Sequence, residues 1–305
     1  MTDIAASSAA KTPAEAETPF QRFRAEFFES RIATAALALL GIIVILAVLA
    51  PWITPQNPYD LGQVDVLDGR LPPGSESFAG YTMWLGSDGA GRDLYSAILH
   101  GLRISLSVGV ASGIIALVIG MAIGLIAAYL GGRVEAVIMR IVDLQLSFPA
   151  SLVALMLVAA LGKGVDKIIL ALIVAQWAYY ARTVRGTALV ERNKEYVEAA
   201  QCLGISRLRI VFRHILPNCL APLIVVGTVQ TAHAISLEAT LSFLGVGLPQ
   251  TEPSLGVLIA NGFEYMLSGR YWISVFPGLA LLFTVVSINL VGDQLRDVLN
   301  PRLKK

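Results

Sequence analysis

The sequence predicts an all-α membrane protein with six membrane-spanning helices, and three observations carry that reading. Of 305 residues, 55% are hydrophobic and only 15% charged, whereas soluble domains carry about one quarter charged residues. Six apolar segments, at roughly 32–52, 104–130, 135–161, 167–186, 217–243 and 272–292, each approach the ~20 residues that cross a hydrocarbon core of about 30 Å. Each must be helical, because lipid offers backbone N–H and C=O groups no partner. Finally, the basic residues are unevenly placed. With the N-terminus in the cytoplasm, 17 of the 23 Lys and Arg fall on the inner side, as the positive-inside rule requires.

The elements follow in order. Residues 1–30 are rich in Ala, Ser, Thr and Glu and read as a cytoplasmic, largely disordered tail. They lack the basic start and apolar core of a signal peptide, so 31–53 reads as an uncleaved first spanning helix. An irregular external region, 54–101, holds several prolines and glycines, and a second outer stretch, 244–271, holds Pro249 and Pro253. These stretches cap the bundle or touch an external partner. Residues 102–293 form the five-helix core, interrupted by a cytoplasmic insert at about 190–216, and 294–305 form a cytoplasmic tail.

The spans carry few polar groups. Gly109, Gly113, Gly120 and Gly124 form one stripe of the second span, suited to close helix packing within the chain or across a subunit interface. In the third, Arg140 and Asp143 are one turn apart and can pair, and Pro149 bends the helix. With Gln145 and Ser147 beside the bend, this helix suits a cavity wall, or else a structural kink. Gln176 and Asn289 are read as interhelical hydrogen-bonding groups. The fifth span carries Gln230, His233 and Glu238. His233 and Glu238 either face a pathway or, for Glu238, tie the helix end to an outer loop.

The insert "EYVEAAQCLGISRLRIVFRHILPN", residues 195–218, parses into two short helices. Asn193 is a candidate N-cap, with Tyr196, Ala200 and Leu203 on one face. Gly204 is the left-handed stop and Ser206 a second cap. Leu208, Val211, Phe212 and Ile215 then line one side of a helix lying at the membrane surface. Pro217 opens the fifth span, where a missing N–H costs little.

Other classes find little support. Cys202 and Cys219 give no disulfide framework or metal ladder, and three scattered histidines make no metal site. No P-loop occurs, so the chain has no such site for ATP. An enzyme needs converging titratable groups, yet Asp143, His233 and Glu238 sit at different depths. An ion-coupled carrier often shows internal repeats with broken helices, and no clear repeat is present.

Four motifs carry a family resemblance. "EAAQCLG" with "HILP" at 198–217 resembles the EAA loop of ABC-importer permeases, with Glu198, Ala199, Ala200, Gly204, Leu216 and Pro217 matching; His214 stands where the general pattern has Ile. "LGSDGAGRDLYSAILHGLRISL" at 85–106, including Gly86, Asp88, Gly91, Arg92 and Asp93, resembles the second, C-type permease subunit of dipeptide and oligopeptide systems. "EATLSFLGVGLPQTEPSLG" at 238–256 is similar to that branch but departs at Pro249-Gln250 and Leu255. The last span and tail from 277 match nearly throughout. The resemblance implies a type I ABC-importer permease fold with a cytoplasmic coupling helix. It implies a bacterial inner-membrane location and a related but different permease partner. It also implies two cytoplasmic ATPase subunits holding ATP and Mg, and an extracytoplasmic solute-binding protein. This chain would bind no cofactor or metal, catalyse no reaction and meet lipid rather than nucleic acid. Peptides are the expected solute, with nickel complexes, glutathione or oligosaccharides the alternatives.

Overall fold

The computed structural model describes residues 18–252 and 254–299, and the expectations for residues 1–17, for Pro253 and for 300–305 lie outside that range. Its helices are α1 Pro19–Glu29, α2 Arg31–Ile53, α3 Leu94–Leu130, α4 Gly132–Ser147, α5 Ala150–Leu161, α6 Val165–Arg192, α7 Glu195–Cys202, α8 Arg207–Ile210, α9 Leu216–Phe243, α10 Leu255–Phe263 and α11 Trp272–Leu299. A π-helical turn, Val211–Ile215, joins α8 to α9. Residues 19–29 are therefore not irregular tail. Thr18 and Gln21 form a reciprocal capping box that starts α1, and Gln294 of α11 donates to the Glu26 carbonyl at 3.2 Å. The beginning of the described chain and its end thus meet on one side of the bundle.

The expected count of six spans changes. Among the described residues four helical runs are long and apolar enough to cross a membrane: α2, α3, the continuous run Arg207–Phe243, and α11. A fifth arises only if α4 and α5 count together, and they meet at 87°. The proline effect is thus a break rather than a bend: α4 stops at Ser147, and Pro149 stands in front of α5 with no ring–carbonyl clash to relieve. Helix α6 is long, but Asp166, Lys167, Arg182 and Arg185 interrupt its apolar length. It runs through the middle of the bundle instead, with Ile168, Leu172, Gln176, Tyr180 and Val184 buried. A helix sheathed by others needs less lipid-compatible surface of its own.

The glycine stripe explains how α6 comes to the centre. A Cβ on Gly120 would meet the Trp177 carbonyl and Tyr180 Cβ, the latter at 2.6 Å, and one on Gly124 would meet the Ala181 carbonyl at 2.5 Å. Further along α3, a Cβ on Gly109 would meet Ile235, and one on Gly113 would lie 3.1 Å from Thr231 Oγ1. The lower pair admits α6 and the upper pair admits α9, both within the chain. Gln176, expected to bridge helices, is fully buried with neither amide atom partnered among the described residues. The Asn289 side chain, half-buried on α11, likewise makes no hydrogen bond among the described residues.

The region between α2 and α3, expected to be external, is ordered by buried polar contacts. The Asp68 carboxylate accepts from Ser77 Oγ at 2.6 Å and the Phe78 N–H at 2.9 Å. This closes the small antiparallel hairpin Ser75–Glu76/Thr82–Met83.

Candidate functional site

Three features distinguish themselves from packing: an exposed elbow on α7, a cleft beside α6, and a clasp over the outer end of α3.

The elbow begins where Asn193 closes α6, so Asn193 is not the expected cap of the next helix; Lys194 precedes α7 without a side-chain cap. Val197 and Ala200 turn inward. Tyr196 and Leu203, expected on that face, stay exposed. Gly204 has φ of 72°, and the Gly204 and Ile205 N–H groups donate to the carbonyls of Gln201 and Ala200 at 3.0 and 3.1 Å. This is a Schellman stop, and φ in this region is why glycine stands there. Ser206 makes no cap bond. The next stretch is not a separate surface helix: it is the first part of the run into α9. The π turn before Pro217 closes with Leu216 N–H on the Val211 carbonyl, accommodating a ring that has no N–H to donate. The wider turn also shifts the helical phase. Ile210, Val211 and Ile215 are buried, while Leu208 and Phe212 face outward, contrary to the expected face.

The outward surface of this knob holds Glu198, Ala199 and Gly204, all exposed, beside Leu203, Leu208 and Phe212, which are 79%, 71% and 62% exposed. Ala200 is buried and Leu216 half-buried, both in the core beneath α7, and Pro217 is exposed. Arg207, Arg209 and Arg213 flank the patch. Three large exposed apolar side chains rimmed by cations describe a protein-docking surface. Beneath it, Glu191 accepts from Lys194 Nζ and Tyr196 Oη, each at 2.6 Å. Burial raises its carboxyl, but these two hydrogen bonds and the Lys194 charge outweigh that and hold it below the ordinary range.

The cleft, about 770 Å³, lies between α4, α6, α9 and α11. Leu146, Tyr179, Pro222, Val225 and Val229 give it apolar walls, and Arg182, Thr183, Gln230, Asp293 and Arg296 give it polar ones. Of the residues expected beside a pathway, Gln145 donates to the Val174 carbonyl at 3.1 Å, and Ser147 to the Asp143 carbonyl at 2.7 Å; both flank Leu146 without lining the cleft. His233 is exposed on α9. Glu238 is 0% exposed and accepts from Ser105 Oγ at 2.9 Å and Ser242 Oγ at 2.8 Å, joining α9 to α3. Asp143 pairs with Arg182 of α6 and not with Arg140, because α4 lies against α6. Arg182, Asp293 and Arg296 were missed as lining residues. Their signal was charge near the inner ends of two segments otherwise read as spans.

The clasp is built from the 85–106 motif. Arg92 Nε donates to Asp88 Oδ2 at 2.8 Å, and its Nη1 to the Gln250 carbonyl at 3.0 Å. Asp88 Oδ1 also accepts from the backbone of Ala90 and Arg92. Asp93 caps α3, with Ser96 N–H at 2.9 Å, and its own N–H donates to Gln56 Oε1 at 2.7 Å. Gly86 and Gly91 have positive φ, and side chains there would strike the Leu71 and Asp65 carbonyls. These five motif residues therefore bind the two outer loops to each other and to α3.

A helical bundle of membrane-spanning length with a cleft among its helices is the architecture of a membrane transport permease. The comparisons agree. Residues 120–305 match the family described as binding-protein-dependent transport system inner membrane component, and residues 18–73 match the N-terminal TM domain of oligopeptide transport permease C. The chain belongs to this permease family. It is 41% identical to a putative peptide transport system permease protein of Brucella suis, over 100% of this chain and 99% of that one. It is 38% identical to the dipeptide transport system permease protein DppC of Escherichia coli K12, over 94% and 95%. It is 37% identical to the di/tripeptide transport system permease protein DppC of Pseudomonas aeruginosa, over 94% and 93%. In fold it resembles a chain of the MetNI methionine ABC transporter in an inward-facing conformation, with TM-score 0.55, 20% identity, and coverage of 67% of this chain and 96% of that one. This is the type I importer permease fold.

Proposed function

We propose that this chain forms half of the membrane pathway of an ATP-driven importer of short peptides, in the bacterial inner membrane with both termini cytoplasmic. A related permease completes the pathway, two ATPase subunits holding ATP and Mg dock on the knob around α7, and an extracytoplasmic binding protein delivers solute to the outer loops. The observation that carries this is the exposed Glu198–Ala199–Leu203–Phe212 surface on a glycine-stopped elbow. Nucleotide acts by favouring one arrangement of the bundle over another through differential affinity. The cleft with Arg182, Asp293 and Arg296 is the inner part of the pathway, and its mixed charges suit the two charged ends of a peptide. The peptide reading is supported by the names of the relatives.

The docking test is Leu203→Asp in the full transporter. The ATPase subunits are expected to dissociate on purification while the permease pair survives; unchanged retention would refute the site. Orientation is tested with a maleimide that cannot cross the membrane. It should label a Ser75→Cys variant in intact cells and miss Cys202, and the reverse pattern overturns the assignment.

A further inference from the structure

We infer that Glu191, Tyr196 and Asn218 form a joint that makes the docking helix α7 move with α6 and α9 together. This rests on the docking role proposed for α7. The chain joins α7 to α6 through the Asn193–Lys194 turn and to the run into α9 through residues 203–206, and Val197 and Ala200 share a core with Ile210, Val211 and Ile215.

Side-chain hydrogen bonds add a further link from α7 to both α6 and α9. Tyr196, in the first turn of α7, donates its Oη proton to Glu191 Oε2 of α6 at 2.6 Å. Tyr196 Oη in turn accepts from Asn218 Nδ2 of α9 at 3.2 Å. Asn218 gives its other amide hydrogen to the His214 carbonyl, four residues back, at 2.7 Å. That carbonyl lies in the π turn, and the Tyr196 ring stacks against the His214 ring with centroids 6.4 Å apart. Lys194 completes the Glu191 carboxylate from the other side.

The chain of donors runs from α9 through Tyr196 to α6 without a break, and it crosses the π turn. π turns recur where a helix performs a function. Here the turn sets α9 at the position where Asn218 reaches α7. Glu191 is itself 7% exposed, which places the acceptor end of the chain in a low-dielectric setting where a hydrogen bond is stronger. Next to it, Arg192 Nη1 donates to the Ala128 carbonyl at 2.9 Å and holds the end of α3. Displacement of α7 by a partner therefore reaches α6 and α9, whose inner halves form the walls of the cleft.

The test uses the complete transporter in nanodiscs with Cys202→Ser and Cys219→Ala in this chain. A spin label at Val229→Cys, on the cleft wall, reports access to a water-soluble nickel relaxation agent with and without ATP and vanadate. Tyr196→Phe keeps the ring stack and removes the hydroxyl; Asn218→Ala removes the other side of the joint. Both variants are expected to retain the ATPase subunits and trap nucleotide. The nucleotide-driven shift in label access should fall roughly 3- to 10-fold, the weight of one hydrogen bond in an equilibrium. The double variant should be no worse than the worse single one, because both break one path. A full label response in the single variants, or additive losses, overturns the joint. Loss of the ATPase subunits from Tyr196→Phe also overturns it, since the hydroxyl would then shape the docking surface. If Leu203→Asp fails to release the ATPase subunits, or the unmodified label ignores nucleotide, the docking role falls and the joint falls with it. Release by Leu203→Asp with a full response in Tyr196→Phe removes the joint alone.

Discussion

Replacing Arg92 by Met should open the outer clasp. The Arg92 side chain is 9% exposed and that of Asp88 1%, so the pair is buried and little screened by salt. Removing one member of a buried pair costs about 3–5 kcal/mol, because the remaining charge is left uncompensated. Asp88 keeps two backbone donors, on Oδ1, from Ala90 and Arg92, which soften the loss. The hydrogen bond to the Gln250 carbonyl also disappears, adding roughly 1 kcal/mol. The net expectation is about 2–4 kcal/mol, or about 30- to 700-fold in the local opening constant at 1.4 kcal/mol per decade. Hydrogen exchange in detergent reads this directly: amides of 86–93 and 248–252 should lose protection by that factor, while those of α6 stay within about threefold. Adding Asp88→Asn should recover part of the loss. Unchanged protection at 86–93, or a uniform loss across the bundle, would refute the view that the pair clasps the two outer loops.

Two further outcomes follow from the packing and the elbow. Gly120→Leu places a side chain against the Trp177 carbonyl and Tyr180 Cβ; it should lower stability by about 1–3 kcal/mol or more, seen as a lower Tm in detergent, whereas Gly186→Leu, where nothing lies within 4 Å, should leave Tm unchanged. The Glu191 carboxyl is held below its ordinary value of 4.5 by Lys194 and Tyr196. Its contribution is complete above pH 4.5 and lost as pH falls through the lower folded value. Exchange protection of α7 should therefore drop in that acid window, and Glu191→Gln should abolish the step while lowering protection at neutral pH.

Much of this protein was legible in the chain. Hydropathy and charge placement gave a helical membrane protein, because water and lipid each impose a residue-by-residue rule. Gly204 was legible as a helix stop because the left-handed conformation favours glycine locally. The EAA-type segment was legible as two helical pieces broken at Gly204, and its docking role is the one proposed above.

Other features depended on contacts distant in sequence. Asp143 has Arg140 one turn away, yet the placement of α4 against α6 gives it Arg182. Glu238, polar and near a span's outer end, was readable as pathway or as tie; Ser105, 133 positions away, makes it a tie. Leu208 and Phe212 fit a stripe with Val211 and Ile215 at ordinary helical spacing, yet in the fold, with a π turn over Val211–Ile215, the first two are exposed and the last two buried. The local code specifies which backbone conformations are affordable and which side chains avoid water. Only the folded bundle decides which neighbour each charge and each apolar face meets, because electrostatic pairing and close packing act across space and not along the chain.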